Sequence, residues 1–155
     1  VLVAVWGALI PVCDNLKDAL DRSLSYIPAD SDCAAAVKLA RGLVGQAEGG
    51  ISIRKHYPDM SVVHTVNNLA LVVWALLSHP DDFSAAIGDV VAAGLDTDCN
   101  GATVGALWGL QDKTIPDFWS APWGGNVGLS LAGTDTVNVA ELIDRTVAVT
   151  VNLSE

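Results

Sequence analysis

The sequence predicts an all-α fold, a compact multi-helix domain, and three observations carry that expectation. Apolar residues recur at three- and four-residue spacing in segment after segment, the period of a helix with one buried face. Half of the 155 residues are apolar, enough for a single domain of this length to bury about 70% of its unfolded surface. Capping residues and Pro or Gly stops bracket most segments.

Residues 1–13 are nearly all apolar and read as a helical core segment as far as Pro11. They are too short to span a bilayer and lack the basic start of a signal peptide. The segment has no initiating Met and is expected to belong to a longer polypeptide. Leu16, Ala19, Leu20 and Leu24 form a helical stripe between Asp14, the expected N-cap, and Pro28. Ser31 or Asp32 opens a helix to about Gln46, which Gly49 and Gly50 are expected to end. Residues 51–60, with Tyr57-Pro58, read as a loop.

A strongly apolar helix covers about 63–77 and stops at His79-Pro80. Asp81 or Asp82 caps the next, which places Phe83, Ala86, Ile87, Val90 and Val91 on its buried side and stops near Gly94. Another covers about 100–110. Residues 113–137 read as irregular, with one short turn at 116–119. Trp119 and Trp123 either line a ligand cleft or pack this loop, and packing is the expectation. The last helix covers 139–150, although its Val and Thr content also permits a strand.

The net charge of −10, with eighteen acidic and eight basic side chains, leaves no basic face. That excludes a general nucleic-acid or anionic-membrane binder. Cys13, Cys33 and Cys99 are odd in number and accompany no metal-type spacing. A disulfide framework and a structural zinc site are not expected, and a reducing cytoplasm is. His56, His64 and His79 are isolated and read as surface or capping residues.

The most informative stretch is 94–101, Gly-Leu-Asp-Thr-Asp-Cys-Asn-Gly. Asp96 and Asp98 stand on a short turn between two helices. Two carboxylates so held grip a hard cation, or serve as ordinary helix caps. The next helix carries Gly101, Gly105 and Gly109 on one face, which predicts a close-packed neighbouring helix. A calcium EF-hand fits Asp96, Asp98, Asn100 and Gly101, but its twelfth position demands Glu and holds Leu107. Asn67 and Asn68 either bond the acidic turn or satisfy nearby backbone, and backbone satisfaction is the expectation.

Together these residues resemble the ADP-ribosylglycohydrolase family, the group that includes the dinitrogenase-reductase-activating enzymes. The similarity lies in His64-Thr-Val-Asn-Asn68, in Asp81-Asp82-Phe83 and above all in Gly-Leu-Asp-Thr-Asp-Cys-Asn-Gly-Ala-Thr-Val-Gly-Ala-Leu-Trp-Gly at 94–109. Ser25-Tyr-Ile-Pro28, Ile115-Pro116 with Trp119, and Glu141-Leu-Ile-Asp-Arg-Thr146 are similar to flanking family segments. The resemblance covers nearly the whole chain and corresponds to the C-terminal half of one family domain.

It implies a many-helix fold around two magnesium or manganese ions, and hydrolysis of the glycosidic bond between ADP-ribose and an acceptor. The implied partners are an ADP-ribosylated protein or an ADP-ribose-containing small molecule, together with the N-terminal half. Asp96 and Asp98 match the two carboxylate metal ligands. Cys99 stands where members carry a threonine ligand; as a softer donor it shifts preference toward manganese or leaves the place to water. The catalytic acid/base is expected in the N-terminal half, and no organic cofactor is implied. Two other functions are a non-catalytic, crystallin-like structural relative and a different N-glycosidase on the same scaffold.

Overall fold

The computed structural model describes residues 1–153, which divide into two units, Val1–Thr114 and a smaller one from Ile115 onward. The larger unit is helical: α1 (Leu2–Leu9), α2 (Leu16–Ser23), α3 (Asp32–Gly42), α4 (Gly49–His56), α5 (Thr65–Ser78), α6 (Phe83–Ala92) and α7 (Thr97–Gly109). The smaller holds two 3-10 turns, Asp117–Trp119 and Ala121–Trp123, then β1 (Asn126–Leu131), β2 (Thr134–Asn138) and α8 (Val139–Leu153). The mostly helical class is as predicted.

In the larger unit α5 is the axis. Every side chain from Val66 to Leu76 is buried. A helix apolar on all faces has to be surrounded, and α2, α3, α4, α6 and α7 all pack on it. Two buried indoles are satisfied by backbone: Trp6 of α1 donates to Leu16 O at 2.9 Å and Trp74 of α5 to Leu43 O at 3.1 Å. Leu2, Trp6 and Ile10 turn the apolar first segment inward, while Val1, Val3 and Val12 stay exposed.

Several local expectations are corrected. Asn15, not Asp14, caps α2: it is extended, and its side chain accepts from Asp18 N–H at 2.9 Å. Ser31 caps α3 as expected, but α3 ends at Gly42, and Gly45 turns the chain with a φ of +75°. Gly49 and Gly50 end nothing. They begin α4, so most of the supposed loop 51–60 is helix. The reason is close approach. A Cβ on Gly49 would collide with the Trp74 indole, and one on Gly50 would lie 2.7 Å from Ala93 Cβ. Glycine here lets α4 cross Trp74.

Asp82 caps α6 through Ala85 N–H, while Asp81 pairs with Lys113 at 2.8 Å. Phe83, Ala86 and Val90 are buried, but Val91 is 43% exposed and does not belong to that face. The glycine stripe of α7 does not mark a close approach. A Cβ at Gly105 would meet only Ile87 Cδ1 at 3.9 Å, and one at Gly109 nothing within 4 Å.

In the smaller unit the irregular reading and the short turn hold as far as residue 125, but 126–138 form an antiparallel hairpin, with Leu131 paired to Thr134 around Ala132-Gly133. Gly133 takes a φ of +78°, which closes the tight turn. Trp123 is 56% exposed, against the expectation that it packs the loop. The segment from 139 is helix, not strand.

Candidate metal centre

The acidic turn is built by the end of α6. Ala93 is buried, and Arg54 of α4 donates to its carbonyl at 3.3 Å. Two consecutive left-handed residues follow, Gly94 at φ +84° and Leu95 at φ +63°. For leucine that conformation costs on the order of 1–2 kcal/mol, so surrounding bonds must hold it. α7 then starts at Thr97, three residues before the expected position. The two carboxylates therefore do not both precede the helix: Asp96 is the N-cap and Asp98 lies in the first turn.

The capping alternative fails for Asp96. Its side chain makes no cap hydrogen bond. It faces Asp98 and Cys99 instead, and one carboxylate oxygen of each aspartate and the Cys99 Sγ all lie within 4.8 Å of one another. The positive end of the α7 dipole offsets part of the repulsion between the two charges. Cys99 is exposed and unpaired, and its thiol is held above its ordinary pKa. The hydrogen bond it donates to Asp96 is the main cause, followed by the charge of Asp96, desolvation and the charge of Asp98. Two carboxylate oxygens suit a hard divalent cation, and the thiol adds a softer donor.

Beside this cluster is a cleft of about 350 Å³. Val63, Leu69 and Val72 give it an apolar wall, while Asp96, Cys99 and Asn100 supply polar lining. Cys33 reaches the same cleft, a proximity that its place in the sequence does not signal. Asp98 is exposed outside it.

The two asparagines of α5 part company. Asn67 behaves as expected: its amide donates to Ser61 O at 3.0 Å and its oxygen accepts from Asn68 N–H. Asn68 does both: its Nδ2 donates to the Val62 and His64 carbonyls, as expected, and its Oδ1 accepts from Asp96 N–H at 3.2 Å and from the Asn100 amide at 2.6 Å. The only sequence signal was a polar residue in an otherwise apolar helix.

The histidines sit outside the cluster: His64 caps α5 through Val66 N–H, and His79 meets Asp89 at 2.7 Å. The EF-hand is excluded, because residues 97–109 are continuous helix and Leu107 is buried. Among the described residues no helix is long and apolar enough to cross a membrane.

No curated protein and no solved structure matches this chain. A family model described as ADP-ribosylglycohydrolase matches residues 1–150. With the predominantly helical fold and the Asp96-Thr97-Asp98 turn at the head of α7, that match places the chain in the ADP-ribosylglycohydrolase family.

Proposed function

We propose that this chain supplies one half of a binuclear magnesium or manganese site that hydrolyses the glycosidic bond between ADP-ribose and an acceptor, a protein side chain or a related group. The observation that supports this reading best is the convergence of Asp96, Asp98 and Cys99 donor atoms at the start of α7, beside the cleft.

Asp96 and Asp98 contribute hard anionic oxygens from the N-cap and the first turn of one helix, so their spacing is set by backbone rather than by flexible loops. A divalent cation held by these two carboxylates would supply Lewis acidity for orienting ribose hydroxyls and polarising a water. Leu69 and Val72, both buried, give one side of the cleft an apolar wall, which strengthens the electrostatic contacts made beside it. Scission of the bond passes through an oxocarbenium-like ribose, and Asp96 and Asp98 serve it as metal ligands rather than as the proton-transferring group. Three protein donors are fewer than a hard cation takes. The remaining ligands and the acid that protonates the leaving group belong, in this reading, to the N-terminal half of the domain.

The test is release of ADP-ribose from a modified protein by the complete polypeptide. Asp96→Asn and Asp98→Asn should each lower metal-supported turnover by on the order of 100-fold or more. Turnover equal to wild type in both variants would remove the site from these residues.

A further inference from the structure

We infer that Asn68 is a positioning residue of this site: its buried side chain fixes the Asp96 turn against the N-terminus of α5. The inference rests on the proposed metal site and adds to it the device that holds its geometry.

Asn68 lies in the first turns of the most deeply buried helix of the larger unit, 8% exposed. A buried amide without partners costs about 1–3 kcal/mol. Here the whole amide is used, and its partners come from three segments. Nδ2 donates to Val62 O and His64 O, both at 2.8 Å, in the stretch leading into α5. Oδ1 accepts from the backbone of Asp96 and from Asn100 in α7. One side chain thus ties residues 62–64 to the acidic turn and to the helix that carries Asp98 and Cys99.

The bond to Asp96 N–H falls directly after left-handed Leu95. It therefore holds the strained residue in place and sets the direction in which the Asp96 side chain leaves the turn. Asn100, 3% exposed, brings the first turn of α7 to the same oxygen. Asn67 is the nearest comparison. It is still more buried, at 1%, it bonds the same loop through Ser61 O, and its oxygen accepts from Asn68 N–H and, at 3.2 Å, from Asn68 Nδ2, but it makes no bond to the turn.

The experiment is calorimetric titration of the complete protein with manganese, read beside thermal melting. Asn67→Ala should lower the melting temperature and leave manganese affinity within about twofold of wild type. Asn68→Ala should weaken affinity by on the order of 10–100-fold at temperatures where it is fully folded. If Asn68→Ala does not fold, Asn68→Ser decides the matter. Its hydroxyl can still donate to His64 O four residues back but does not extend to Asp96 N–H, so the same loss of affinity is expected. Wild-type affinity in the folded Asn68 variant, or an equal loss in Asn67→Ala, overturns the inference. Absence of manganese binding in wild type overturns the metal site itself.

Discussion

Asp96 occupies a capping position and leaves the cap unmade, and that single side chain separates a structural aspartate from one available to a ligand. The Asp-Thr-Asp spacing is local, so the pair was legible from sequence. The bond from Asn68 to the turn was legible only as the less expected alternative, because its partner Asp96 lies 28 residues away and only the packing of α7 against α5 brings them together. At Cys99 the family resemblance implies a departure from a hydroxyl ligand. Cys99→Thr in the complete protein should raise the ratio of magnesium- to manganese-supported ADP-ribose release by on the order of tenfold. An unchanged ratio would show that the side chain does not reach the ion.

Glycine shows where element-level reading succeeds and fails. Near Gly94 the sequence locates the end of α6 correctly, because a left-handed residue closes the helix there. At Gly49-Gly50 the same rule misleads, since the constraint is the Trp74 ring, 24 residues further on from Gly50. Gly49→Ala should therefore destabilise the protein by roughly 1–3 kcal/mol, as overpacking does. Gly105→Ala meets only an ordinary contact and should be neutral or stabilising by up to about 1 kcal/mol, the difference in helix propensity. Chemical denaturation of the two variants checks both; equal effects would contradict the packing described for α4 and α7.

A second element-level prediction concerns α2 and α3, joined where Asp21 meets both Lys17 and Arg41. Burial alone would push the Asp21 carboxyl up, but the two cations outweigh it and hold it below its ordinary value. A lowered folded-state pKa means the contribution is complete above the unfolded value of about 3.9 and is lost as pH falls through the folded value. Wild type should melt above Asp21→Asn at pH 7, and the gap should close below about pH 4. A gap independent of pH would show that the pair adds nothing through its charge.

Across the whole molecule, the helical class was legible because the apolar period of α2 and α6 is local information. The hairpin of β1 and β2 was not. Its strands are short and mostly exposed, so no alternating buried face marks them. The proposed centre was legible only in part, since the described residues offer three clustered donors. The isolated segment should bind metal weakly and release no ADP-ribose, and robust metal-dependent turnover by it would contradict a site shared with an N-terminal half.

The central claim is that Asp96 and Asp98 together hold a divalent cation. Manganese titration of the complete protein, wild type against the Asp96→Ala/Asp98→Ala double variant, tests it most directly. The account predicts saturable binding in wild type and, in the variant, its loss or a weakening of on the order of 100-fold or more. Equal affinity in the two proteins would contradict it.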